Sequence, residues 1–99
     1  MAYAHENAYL LAKGRPTLPT QPLPDVIGWR YSSNKLHPTQ KPLCALTPLI
    51  ESFSRPGEVV LDLFCGSGST LLAAEIEERS FTGIELDPGY FELAKQRLR

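Results

Sequence analysis

The sequence has 99 residues, 42% of them hydrophobic and 21% charged, with a formal net charge of −1. That size allows one small domain or a piece of a larger one, and the near-neutral balance excludes a chain that is basic throughout and wraps nucleic acid by charge alone. No apolar run approaches the ~18–20 residues of a membrane span and no leader pattern opens the chain, while Cys44 and Cys65 are too few for a disulfide framework and lack metal-ligand spacing; a reducing, cytoplasmic setting is expected.

The average conceals an asymmetry. Residues 1–57 carry six Lys/Arg against three acids, residues 58–99 carry four against eight, and eight of the nine prolines precede residue 57. The first half reads as extended and mildly basic, the second as compact alternating structure. Residues 7–13 suit a short strand ending at Gly14, with a helical turn as the alternative. Pro16, Pro19, Pro22 and Pro24 then deny the backbone both helix and central strand, so 14–38 is expected to be an extended connector. Within it Trp29 and Tyr31, beside Arg30 and Lys35, suit an anchor for a long loop better than a stacking platform for nucleic acid.

A helix should begin near Thr39–Pro42, where Thr39 can cap and Pro42 fits the first turn. Leu43, Leu46, Leu49, Ile50 and Phe53 recur at spacings of three and four and give it an apolar face; Pro48 should kink it or restart it with Thr47 as cap. After Arg55-Pro56-Gly57, residues 58–64 form an apolar run that reads as a buried strand, 65–69 (Cys-Gly-Ser-Gly-Ser) as a glycine turn, and 70–79 as a helix packing through Leu71, Leu72, Ala74 and Ile76. Glu75, Glu77, Glu78 and Arg79 are expected on its solvated face. Residues 81–85 read as a second strand. Asp87-Pro88 starts a last helix whose apolar face is Tyr90, Phe91, Leu93, Ala94 and Leu98, and whose Lys95, Arg97 and Arg99 suit a helix carboxyl end first and a DNA phosphate second. The series is a βαβα unit, an α/β arrangement that demands a parallel strand pair and a right-handed crossover.

Ligands of such a unit bind at the carboxyl ends of the strands. Asp62, Phe64 and the Gly66-Ser67-Gly68 turn lie at the first end, and Glu85 at the second, where a carboxylate can accept both hydroxyls of a ribose. This predicts a cofactor bearing a nucleoside. Leu71 stands where a dinucleotide turn wants its third glycine, and no lysine follows Gly68 as a nucleoside triphosphate loop requires. S-adenosylmethionine needs an acid near its ammonium, a glycine turn, donors for its carboxylate and an acid for its ribose, which Asp62, Gly66, Gly68, Thr70 and Glu85 can supply. The glycine turn alone would leave the choice open. Cys65 suits a small loop filler better than a reactive thiolate.

The stretch 62–70 (Asp-Leu-Phe-Cys-Gly-Ser-Gly-Ser-Thr), taken with 37–42 (His-Pro-Thr-Gln-Lys-Pro), resembles the DNA amino-methyltransferases that modify adenine N6 or cytosine N4, in the permuted order that places the cofactor motifs last. The resemblance covers 35–98, including Gly83-Ile-Glu-Leu-Asp87; Asn34-Lys35-Leu36 is most similar to prophage-type adenine methylases, and residues 5–14 resemble the strand before the target-recognition region. It implies a partial Rossmann-like methyltransferase fold in which Asp62, Phe64, Gly66 and Gly68 line S-adenosylmethionine, Glu85 holds the ribose, and Thr39, Lys41 and Thr70 lie near the methionyl end. Leu63 and Ser69 are mild departures from positions often held by proline and threonine.

The family's catalytic Pro-Pro motif, which holds a flipped base, is expected upstream of this chain's beginning. Asp87-Pro88-Gly89-Tyr90 lacks the second proline and reads as a helix cap. The division expected is 1–38, an amino-terminal strand and connector, and 39–99, the cofactor-binding part. Double-stranded DNA is the implied partner of the complete enzyme, with self-association or an upstream segment supplying what is missing. A non-catalytic remnant, or a methyltransferase of small molecules or proteins, is the alternative.

Overall fold

The computed structural model describes residues 8–21, 23, 24, 27 and 43–98. Its element order is α1 (Leu43–Phe53), β1 (Val59–Asp62), α2 (Ser69–Ile76), β2 (Ser80–Gly83) and α3 (Pro88–Arg97). The two strands pair in parallel, with Val59 opposite Ser80 and Asp62 opposite Gly83. Hydrogen bonds from Ile84 N to Asp62 O (2.9 Å) and from Cys65 N to Ile84 O (3.0 Å) carry the pairing past the strand ends and into the glycine turn. The expected βαβα order is therefore present.

The core is small because the apolar residues that meet are small. Ile50 of α1 and Ala73 and Ala74 of α2 form its centre, with Leu43, Leu46, Val60 and Phe81 packed around it. Alanines on α2 let that helix lie close to both α1 and the sheet. α1 runs without a break through Pro48, so the expected restart at Thr47 does not occur. Only one ladder donor is missing at a proline, and Leu46 and Ile50 anchor the helix on either side of it. Its expected start at 39–42 lies outside the described residues, as do Trp29, Tyr31 and His37.

Three expectations are corrected. Residues 8–13 form no strand, and Tyr9 and Leu11 are about nine-tenths exposed; among the described residues no third strand pairs with them, and an extended segment without a ladder gains nothing from its backbone groups. The 58–64 run is not buried on both sides: Val60 and Asp62 face the helices, while Val59 and Leu61 are 65% and 58% exposed. Among the described residues, helices cover one face of the sheet. Finally, α2 ends at Ile76 rather than Arg79, and Arg79 is buried instead of solvated. Its guanidinium donates to Ser54 Oγ (2.9 Å), Ser54 O (2.7 Å) and Glu77 O (2.7 Å), tying the end of α1 to the end of α2.

Candidate cofactor site

The turn between β1 and α2 takes its shape from two glycines. Gly66 has φ 55° and Gly68 has φ 89°, both in the left-handed region that costs side-chain-bearing residues dearly. Gly68 N donates to Cys65 O (2.8 Å), closing the turn. Gly68 is also the residue before α2 and offers no side chain to cap it; a helix start without a side-chain cap favours an anionic group.

Glu85, just beyond β2, is the hinge of the site. Its Oε1 accepts from Gly66 N and its Oε2 from Asp87 N, each at 2.8 Å. Asp87 in turn accepts at Oδ1 from Tyr90 N (3.0 Å) and caps α3 ahead of Pro88. One carboxylate thus fixes the glycine turn, the end of the second strand and the entry to α3. Each oxygen of a carboxylate has a second lone pair, so both can still accept from a ligand's hydroxyls. Asp62 closes β1, with Oδ1 accepting from Phe64 N at 3.0 Å. Phe64 is 88% exposed beside it, a large apolar surface at the mouth of the turn.

The Cys65 thiol lies within this group and is pushed above its ordinary range, first by burial and then by the charges of Asp62 and Glu85. It is therefore protonated at neutral pH and packs as a small filler. The same two carboxylates make the strand ends electronegative, which suits a ligand carrying positive charge. A sulfonium and an ammonium on a nucleoside would meet that demand, and the spare acceptor capacity of Glu85 and the close approach allowed at Gly66 are compatible with such a ligand.

Of the residues singled out in the sequence, Asp62, Phe64, Gly66, Gly68 and Glu85 gather at the carboxyl ends of the strands, and Thr70 lies in the first turn of α2, half-buried. Thr39 and Lys41 lie outside the described residues. Sequence reasoning passed over Arg97, which reaches from α3 to Ser67 and Ser69. Its position in a helix's last turn suggested a favourable dipole contact first and a DNA phosphate second, and nothing in the local pattern signals a contact 30 residues away.

The α/β fold, with its parallel strand pair and glycine turn, is shared with S-adenosylmethionine-dependent methyltransferases. The family model for N6/N4 DNA methylases matches residues 3–96, and the chain belongs to that family. It is 57% identical over 98 residues to YubD of Escherichia coli (strain K12), which is named as a methylase, and 41% identical over 75 residues to the type II methyltransferase M2.MboI of Moraxella bovis. The alignments cover 99% and 76% of this chain but 43% and 27% of those proteins, so the chain spans less than half their length. Among solved structures, M1.HpyAVI in complex with S-adenosylmethionine is similar with a TM-score of 0.67 and 34% identity, over 81% of this chain and 43% of that one. The cytosine-N4-specific PvuII DNA methyltransferase is similar with a TM-score of 0.61 and 32% identity, over 66% and 23% of the two chains. The fold expected from the sequence is thereby that of the family.

Proposed function

We propose that this chain forms the S-adenosylmethionine-binding part of a DNA methyltransferase that methylates an exocyclic base amine, adenine N6 in preference to cytosine N4. The observation that carries the reading is the Glu85 carboxylate, bonded to Gly66 N and Asp87 N with acceptor capacity to spare at the mouth of the glycine turn. Glu85 holds the ribose, Asp62 faces the ammonium, Gly66 and Gly68 admit the thioether region, and Phe64 covers an apolar part of the ligand. Thr70, with Thr39 and Lys41 from the 37–42 segment, serves the methionyl carboxylate; the lysine adds a charge-assisted contact. When bound, the cofactor supplies a methyl group on sulfur, which an amine nitrogen can accept. The preference for adenine rests on the likeness of Asn34-Lys35-Leu36 to adenine methylases.

The division of labour follows from the sequence, which holds no Pro-Pro pair to grip a flipped base. Residues 39–99 provide the cofactor pocket and 1–38 the connector, while base gripping and most DNA recognition belong to other parts of the complete enzyme, in the cytoplasm.

Titration calorimetry with S-adenosylmethionine tests the reading. The wild-type chain binds, and Glu85→Ala weakens binding by about 1–3 kcal/mol, the scale for lost hydrogen bonds to a charged group. Equal affinity in the two proteins would refute the Glu85 assignment. In the same preparations, radiolabel from the cofactor should not reach plasmid DNA; labelling abolished by Asp62→Ala would mean that this chain grips a base itself.

A further inference from the structure

We infer that Arg97, in the last turn of α3, is a positioning residue for cofactor binding, holding the 65–69 turn in its binding shape from a point that does not touch the ligand. The inference rests on the cofactor reading above. Arg97 Nη1 donates to Ser67 O at 2.9 Å, to Ser67 Oγ at 3.1 Å and to Ser69 Oγ at 3.3 Å. These acceptors flank Gly68, and Ser67 and Ser69 are 3% and 6% exposed, so little water can replace the guanidinium there. Burial lowers the affinity of Arg97 for its proton, which agrees with a cation withdrawn from solvent.

The helix carrying it is pressed against the same turn. A Cβ built at Gly68 would lie 3.1 Å from Ala94 Cβ and 3.7 Å from Leu98 Cδ1. Ala94 and Arg97 are three apart and share a helix face, so one face both packs on Gly68 and brackets it with hydrogen bonds. Lys95, by contrast, is exposed and pairs with Glu92 at 3.5 Å; it can answer the helix dipole without Arg97.

The turn is thus held at both ends by charge: Glu85 on Gly66 N, Arg97 on Ser67 and Ser69. That matters because two left-handed glycines have many alternative conformations once released. A ligand binding a loose turn must order it, and affinity falls by the cost of that ordering.

The test is calorimetry with S-adenosylmethionine and thermal melting on the whole chain, for wild type, Arg97→Met, Arg97→Gln, Arg97→Lys and the control Arg79→Lys. Arg97→Met is expected to weaken binding about tenfold or more, and Arg97→Lys, which keeps a charged donor, to recover most of that loss. Arg79→Lys disturbs a buried guanidinium remote from the turn; it should lower the melting point and leave affinity within about twofold of wild type. Should Arg97→Met not fold, Arg97→Gln decides, with binding about threefold or more weaker supporting the inference and unchanged binding overturning it. Arg97→Met binding within about twofold of wild type, or an equal loss in Arg79→Lys, overturns the inference while the cofactor reading stands. No binding by wild type overturns the cofactor reading and the inference with it.

Discussion

A Cβ built at Gly83 would collide with Leu71 Cδ1 and lie 3.0 Å from Cys65 Sγ and 3.2 Å from Cys65 Cβ. Gly83 ends β2 opposite Asp62, so a single hydrogen there lets the second strand, the turn and α2 approach one another. Leu71 is 3% exposed, and the Cys65 backbone is held by its N–H donating to Ile84 O. Gly83→Ala should therefore cost about 1–3 kcal/mol, the range for overpacking a filled site. Urea unfolding measures it; a midpoint equal to that of wild type would show that the turn yields freely. The protonated Cys65 belongs to the same tight group, and its role as filler follows from having both burial and two carboxylates opposed to its thiolate.

At the scale of elements, the end of α2 decides where β2 can begin. Glu78 N donates to Glu75 O (3.1 Å) and Arg79 N to Ala74 O (2.8 Å), the paired bonds of a Schellman ending, with Glu78 at φ 63° in the position that usually belongs to glycine. The reversal turns the chain directly into Ser80, whose N bonds Glu58 O at 2.9 Å and starts the parallel pair. Gly57 N, bonded to Glu78 O at 3.0 Å, ties the preceding turn to the same point. Since a side chain in the left-handed region is strained, Glu78→Gly is expected to stabilise the fold by about 0.5–1 kcal/mol. Thermal melting of the variant below that of wild type would contradict this and would assign the Glu78 side chain a contribution that its geometry does not display.

For the molecule as a whole, the two strands have, among the described residues, one face covered by helices and one open. Val59, Leu61, Leu63 and Ile84 are each more than half exposed, and a two-stranded sheet has two edges with unpaired backbone groups. The core is built largely on alanine, and a small core supplies only ~3–5 kcal/mol. The purified chain is accordingly expected to be of low stability and prone to self-association, and saturating S-adenosylmethionine should raise its melting point by mass action. Sedimentation velocity giving a monomer, with a sharp cofactor-independent transition above ~65 °C, the top of the usual mesophile range, would disprove this expectation. Among the described residues no helix is long and apolar enough to cross a membrane.

The order of elements from α1 to α3, the glycine turn and a carboxylate at the end of the second strand were legible in the sequence because each is written in local chemistry, although β2 spans Ser80–Gly83 rather than 81–85 and Glu85 lies just beyond it. Apolar spacing sets helix faces, glycine permits the positive φ of a tight turn, and Asp-Pro before an apolar-periodic run signals a helix start. What tertiary structure alone decided is of another kind. The 58–64 run reads as buried on both sides, yet burial depends on what covers the second face, and no local pattern contains that. Residues 8–13 have strand-like composition, but a strand exists only with a neighbour. Arg79 and Arg97 stand near helix ends where solvated cations are usual; each instead turns back to carbonyls and hydroxyls brought within reach by the packing of α1, α2 and α3. Charge and propensity are properties of a residue and its neighbours in sequence, whereas a hydrogen bond spanning 25 or 30 positions is a property of distance in space, which only the folded chain fixes.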